Sequence, residues 1–213
     1  MSKLIRVLLT DDHAVVRAGV RRLLEQYSGI EVVAEAESGE QAYQMYAECL
    51  PSVLVMDVSM PGMGGLESLR RIMHRYPSAK VVMFSMHATP AFARHALEYG
   101  ASGYVVKTGD TDDLVNAVLD AVKGKSYLSA EVAHNLALQG KSGGEDPTQK
   151  LTAREFEVFR LLAEGRVVEE IAILLNISQK TASNYQTTLK QKLGLTSPVS
   201  LVRMAIRYGV IEG

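Results

Sequence analysis

Five residues in this sequence could do chemistry, and each stands at the end of an apolar run. Asp11 and Asp12 follow Leu4–Thr10, Asp57 closes Val53–Met56, Ser85 follows Lys80–Phe84, and Lys107 follows Gly103–Val106. An apolar run without alternation reads as a strand buried on both faces. Such a strand ends in a bare carboxylate only where it emerges into solvent or onto a partner. If the strands are parallel, these ends share one sheet edge, where open parallel sheets bind ligands, and the five side chains converge. Three carboxylates brought together repel one another, and at least one must take up a proton unless a cation intervenes. All-oxygen ligation with retained waters points to magnesium. Lys107 adds a fixed positive charge and Ser85 a hydroxyl donor opposite the metal. A phosphoryl group entering this pocket meets a cation on one side and two donors on the other, an arrangement that stabilises its transfer. Asp57 is then the nucleophile that forms an aspartyl-phosphate.

The elements that must position these residues can be read in order. Strand-like runs at residues 4–10, 30–36, 53–57, 80–84 and 103–106 alternate with helical patterns at about 15–27, 39–49, 66–76, 90–99 and 110–123. Ser38 caps the second helix, Pro61-Gly62 and Gly64-Gly65 turn the chain after Asp57, and Gly100 and Gly124 close later helices. This alternation predicts an α/β fold with a doubly wound, five-stranded parallel sheet. Residues 130–138 could add a short helix, and Gly140–Pro147 has the composition of a linker. The predicted organisation is a first domain over 1–125, a helix and flexible linker over 126–147, and a second domain over 148–213.

The second domain reads as all-α. Thr152 with Glu155 forms a capping box, Gly165 ends that helix, a short helix over about 168–175 precedes an Asn176-Ile177 turn, and Ser178 caps a longer helix to Leu193. Ser197-Pro198 opens the last of four helices. Two of them joined by a tight turn predict a helix-turn-helix. Charge agrees with two modules: residues 1–149 hold 14 Lys+Arg against 18 Asp+Glu (−4), residues 150–213 hold 9 against 6 (+3), and the sum is the formal −1. A basic tail permits a nucleic-acid partner. No apolar run approaches a membrane span, and Met1-Ser2-Lys3 leads into a strand without a signal-peptide core, so a cytoplasmic protein is expected. The single cysteine, Cys49, excludes an internal disulfide and is expected to pack.

Residues 1–125 resemble the receiver domain of a bacterial two-component response regulator. The resemblance rests on Asp11-Asp12, Asp57-x-x-Met60-Pro61-x-x-Gly64, Ser85 and Tyr104-x-x-Lys107. It implies a flavodoxin-like receiver with Asp57 as phosphoacceptor and magnesium held by Asp12 and Asp57, with Asp11 helping to position it. The backbone carbonyl of Ser59 is also given to the metal, while Ser85 and Lys107 bind the phosphoryl oxygens. Tyr104 and Ser85 match the family's switch pair, although Tyr104 reads equally well as a half-buried strand aromatic. Residues 148–213 resemble the LuxR-type output domain, so the chain is similar to transcription factors of the NarL/FixJ subfamily. That implies a sensor histidine kinase and double-stranded promoter DNA as partners, a homodimer when phosphorylated, and no catalysis beyond self-phosphorylation and autodephosphorylation. Two positions depart from many receivers: Thr108 follows Lys107 where a proline often sits, and Met86 follows Ser85 where a small residue is usual. His13 and His87 flank the pocket without metal-ligand spacing. A haloacid-dehalogenase-type phosphatase would want a second aspartate at Ser59.

In the third tail helix Ala182, Tyr185, Leu189 and Leu193 share an inward face. Lys180, Ser183, Asn184, Thr187 and Lys190 lie opposite, available to a major groove, with Thr181 beside them. Short polar groups at Ser183, Asn184 and Thr187 suit base reading, and Lys180 and Lys190 suit phosphates. Three further expectations concern coupling. A polar linker predicts a small, reversible contact between domains. The Ser183–Lys190 face is expected to hide against the receiver. Val199, Val202 and Ile206 form a stripe on the last helix that fits either a dimer contact or the core.

Overall fold

The computed structural model describes residues 4–141 and 146–211. The elements run β1 (Ile5–Thr10), α1 (Ala14–Glu25), β2 (Ile30–Ala36), α2 (Gly39–Cys49), β3 (Val53–Asp57), α3 (Gly65–Arg75), β4 (Val81–Ser85), α4 (Pro90–Glu98), β5 (Gly103–Val106), α5 (Thr111–Val122), β6 (Tyr127–Leu128) and α6 (Ala130–Lys141). A 3-10 turn (Pro147–Lys150) leads into α7 (Ala153–Ala163), α8 (Val168–Leu174), α9 (Gln179–Leu193) and α10 (Pro198–Arg207). The sheet order is β2-β1-β3-β4-β5-β6, and every neighbouring pair is parallel. Thr10 lies opposite Met56, Asp57 opposite Phe84, and Ser85 opposite Val106, so the polar strand ends share one edge.

The sheet has six strands where five were expected. Tyr127 and Leu128 add a parallel edge beside Gly103 and Tyr104. A Cβ at Gly103 would come within 3.0 Å of the Tyr127 carbonyl oxygen, so the glycine allows this close approach. Two residues are too few to leave an alternating pattern in the sequence. Gly65 is equally constrained, because a Cβ there would collide with the carbonyl of Asp57 where the chain folds back over the end of β3.

Local signals set the helix ends. Ser38 Oγ accepts from Gln41 N at 3.3 Å, Ser178 Oγ accepts from Thr181 N at 3.1 Å, and Thr152 and Glu155 form the reciprocal box at 3.3 and 2.8 Å. One face of the sheet packs α1 and α5 through Val20, Leu24, Leu114 and Val118. The other face packs α2, α3 and α4, and its apolar cluster continues without a break into the tail through Phe92, Phe156, Phe159 and Leu189.

The polar linker suggests a small, reversible contact between domains, whereas the contact is apolar and continuous with the receiver core. Phe156 and Phe159 of α7 are fully buried, and α3 and α4 pack on α7 and the turn before it. The polarity of residues 140–147 misled, because the flanking helices carry the contact rather than the connection. Residues 142–145 of the expected linker lie outside the described residues. Asp146, at its end, is buried, pairs with Arg94 Nη1 at 2.7 Å and caps Thr148 N at 2.9 Å. The Lys107-Thr108 peptide, at the position where many receivers carry a proline, is trans.

Candidate functional site

The strand ends bring Asp11, Asp12, Asp57, Ser85 and Lys107 to one pocket. Lys107 Nζ sits 2.6 Å from Asp11 Oδ2 and 2.9 Å from Asp57 Oδ2, and all three side chains are more than nine-tenths buried. The β1–α1 loop carries Asp11 and Asp12, with Asp11 Oδ1 accepting from His13 N at 2.8 Å. Asp57 Oδ1 accepts from Ser59 N at 3.3 Å, which folds the β3–α3 loop over the carboxylate. Burial pushes the Asp57 carboxyl above its ordinary value; Lys107 pulls it down, and the nearby Asp11 charge adds to the rise. Ser85 is fully buried at the end of β4, and its Oγ accepts from His87 N at 3.0 Å.

The donor set fits a hard divalent cation. Ligand atoms of Asp11, Asp12, His13 and Asp57 lie within 4.8 Å of one another. Asp12 Oδ1 is buried without a hydrogen bond among the described residues, and the His13 imidazole lies 3.0 Å from it. Carboxylate oxygens dominate the set, which suits magnesium better than softer metals. His13 therefore stands closer to the acidic cluster than its sequence spacing suggested.

In the tail, α9 turns Ala182, Leu189 and Leu193 inward and leaves Lys180, Ser183, Asn184 and Thr187 exposed, with Thr181 and Lys190 partly so. Two hydroxyls are already engaged: Thr181 Oγ1 lies 2.8 Å from the capping Ser178 Oγ, and Thr187 Oγ1 donates to the Ser183 carbonyl at 2.9 Å. The expectation that this face hides against the receiver is not met. The receiver instead takes α7, through Phe156 and Phe159, and meets the end of α8 by a hydrogen bond from Gly62 N to the Leu174 carbonyl at 2.9 Å.

Residues 7–119 match the family described as response regulator receiver domain, and residues 149–205 match bacterial regulatory proteins, luxR family. The chain belongs to the response regulators. Among curated relatives it is similar to the response regulator UvrY of Escherichia coli, 36% identical over 209 residues that cover 97% of this chain and 96% of that one. The transcriptional activator protein ExaE of Pseudomonas putida is 41% identical over 210 residues, covering 97% and 98%. Among solved structures, RcsB of Salmonella enterica serovar Typhimurium, bound to promoter rprA in the presence of phosphomimetic BeF3-, is 32% identical with TM-score 0.71, covering 95% of this chain and 98% of that one. The pairing of a receiver with a LuxR-type helix-turn-helix makes this response regulator a NarL/FixJ-type transcription regulator.

The response regulator's pocket is joined to its tail by a run of rings that the sequence did not reveal. Tyr104 is fully buried, its hydroxyl donates to the His87 carbonyl at 2.8 Å, and burial holds the phenol well above its usual pKa. The His87 ring lies 3.1 Å through Nε2 from Ser59 Oγ and stacks on Phe92, with centroids 4.5 Å apart. Phe92 meets Phe156 of α7 edge-on at 5.1 Å, and Phe156 meets the buried His95 at 4.3 Å. Beside this run, Arg154 of α7 donates to the carbonyls of Gly62 and Leu175, each at 2.7 Å, and to that of Met63 at 3.1 Å. Arg154 thereby ties the loop after Asp57 to the helix-turn-helix turn. Its partner Glu157, 2.8 Å away, is pushed up to about 7 by burial, against the pull of Arg154. A signal for the contact existed: α7 buries Ala153, Phe156, Val158, Phe159, Leu161 and Ala163, which lie all round the helix, and such a helix must be covered on every side.

Proposed function

We propose that this response regulator is switched by phosphorylation of Asp57, and that the switch governs DNA binding by α9. The observation that carries the reading is Lys107 Nζ held between Asp11 and Asp57 at a sheet edge where Ser85 is also buried. The Asp57 carboxylate attacks a phosphoryl group on a histidine kinase, forming an O–P bond as the N–P bond to the kinase histidine breaks. Burial makes Asp57 more basic, hence more nucleophilic once ionised, and the Lys107 ammonium holds the anion ready. Ser85 Oγ and Lys107 Nζ bind the transferred oxygens. Asp11, Asp12, Asp57 and the backbone carbonyl of Ser59 would hold magnesium, which when bound offsets the charge of the carboxylates and the phosphoryl group.

Coupling follows the rings. When Ser85 and Lys107 turn to the phosphoryl group, the hydrogen bond from His87 N to Ser85 Oγ is disturbed. His87 also anchors Tyr104 and Phe92, so the contact with Phe156 weakens. A freed tail can then pair about a two-fold axis and present two copies of α9 to two half-sites. The exposure of Val199 and Ile206 on α10 supports a symmetric contact there. Lys180 and Lys190 meet phosphates, with Thr181 beside them, while Ser183, Asn184 and Thr187 face base edges. RcsB, 32% identical, was solved on promoter DNA, which favours promoter DNA as the partner here. A cytoplasmic location accords with that role.

Incubation of the full chain with acetyl phosphate and magnesium tests the reading. Label is expected on Asp57, absent in Asp57→Asn and dependent on magnesium. Full labelling of Asp57→Asn would overturn it.

A further inference from the structure

Arg17, in the first turn of α1, is a buried cation for which the pocket chemistry gives no reason. Its side chain is about nine-tenths buried, and burying a guanidinium is unfavourable unless it is well paired. The pairing is specific. Nη1 donates to the backbone carbonyl of Asp11 at 2.7 Å. Nη2 meets Glu37 Oε1 at 2.7 Å, and Nε lies 3.4 Å from Glu35 Oε2. Glu35 is held in turn by Arg21 Nη1 at 2.6 Å. The guanidinium is thus braced at the end of β2 and grips the peptide between Asp11 and Asp12 from outside the pocket. Asp11 N already donates to the Ala36 carbonyl at 3.2 Å, so Arg17 secures the other side of the same residue. Without it, no backbone amide among the described residues is seen to bond the Asp11 carbonyl, and rotation of that peptide would swing the Asp12 carboxylate.

We propose that Arg17 is a positioning residue for divalent-cation binding: it holds the Asp11–Asp12 peptide so that both carboxylates face Asp57, and it never touches the ion. The proposal rests on the reading of the pocket as a magnesium-dependent phosphoacceptor. Charge and geometry make opposite demands here, which gives the test its sign. As a bare positive charge near the site, Arg17 repels a cation, so removing it would tighten magnesium binding. As a positioning group, removing it weakens binding. As a mere strut between β1 and β2, removing it lowers stability and leaves the affinity alone.

The experiment measures the magnesium dissociation constant of the full chain by isothermal titration calorimetry, using magnesium alone at fixed salt. Wild type, Arg17→Met and Arg17→Lys are compared, with urea unfolding as a check on folding. Loss of a group that holds metal ligands in place typically weakens affinity ~10–100-fold. That weakening is expected for Arg17→Met, with partial recovery in Arg17→Lys, which can still donate to the Asp11 carbonyl. Equal or tighter binding by folded Arg17→Met overturns the proposal. Should Arg17→Met fail to fold, Glu37→Gln loosens the brace while keeping the arginine. It is then expected to weaken magnesium by a smaller factor, and unchanged affinity overturns the proposal. Wild type that binds no magnesium overturns the pocket reading itself, an outcome distinct from equal binding by wild type and variant.

Discussion

Acidification should loosen this protein through His95, by an amount that the domain contact determines. His95 lies on α4, 2% exposed, under Phe156 and beside Tyr99. Glu98 Oε2 is 4.0 Å from Nδ1, Asp146 and the Thr148 backbone pull the imidazole up, and Arg94 pushes it down. Burial outweighs them all and brings the pKa from 6.5 to about 4. The unfolded chain therefore binds more protons between about pH 6.5 and pH 4, so stability rises with pH across that window and falls as pH drops through it. From pH 7 to pH 5 the loss is about 2 kcal/mol. His95→Leu keeps the volume and removes the proton site. Glu157 works in the opposite sense, since its raised pKa makes the folded state hold a proton that the unfolded state has lost. Wild type alone is thus a poor reporter, and the quantity to read is a double difference. Urea unfolding free energies of wild type and His95→Leu at pH 7 and pH 5 should show the variant losing about 2 kcal/mol less on acidification. Phe156→Ser, which uncovers the imidazole, should lose the same term. A double difference below about 0.5 kcal/mol, within ordinary additivity error, would mean that water reaches His95 and that α7 does not cover it.

Four further outcomes are expected. Replacing Ser59 and His87 together by alanine removes the 3.1 Å pair at the pocket and with it one hydrogen bond available to an attacking water. Phosphate should then leave Asp57 about fivefold more slowly, read as the half-life of the labelled protein, and an unchanged half-life refutes that placement. Val202→Asp, between the exposed Val199 and Ile206, should weaken DNA binding at least about tenfold by gel shift while the urea midpoint of the monomer stays put; a fallen midpoint assigns the stripe to the tail's own packing, and unaltered binding refutes the dimer contact. Lys180→Ala should lower affinity evenly across DNA sequences and reduce the salt slope by about 1, whereas Asn184→Ala should relax choice at one base pair by ~1–3 kcal/mol.

The pocket was legible because parallel strands turn a one-dimensional pattern, apolar run then polar residue, into a shared edge. Asp57, Ser85 and Lys107 needed only the sheet's direction to be placed together. The tail's caps were legible for a similar reason, since Thr152, Ser178 and Ser197 act on amides three residues away. What escaped depended on contacts between distant segments. Tyr127-Leu128 forms a strand only because Gly103 lets it approach. Phe156 looked like one more apolar residue of α7, and nothing near it in sequence names Phe92 or His95 as its neighbours. His13 and His87 were judged by ligand spacing, yet their roles come from the loops that carry them beside Asp12 and Ser59.

Phe92 and Phe156 give the closed form a temperature signature. The contact that holds the tail is largely apolar, and apolar attraction weakens on cooling because its driving force near room temperature is entropic. The Arg94–Asp146 pair and the Arg154 hydrogen bonds across the same contact do not fade in this way, so the apolar share carries the temperature dependence. Under the proposed coupling, opening should require less phosphorylation in the cold than in the warm, read as the level of Asp57 label needed for half-maximal DNA binding at each temperature. Separation also hydrates both rings, so it carries a positive heat-capacity change, and the equilibrium between closed and open forms curves with temperature as an unfolding reaction does.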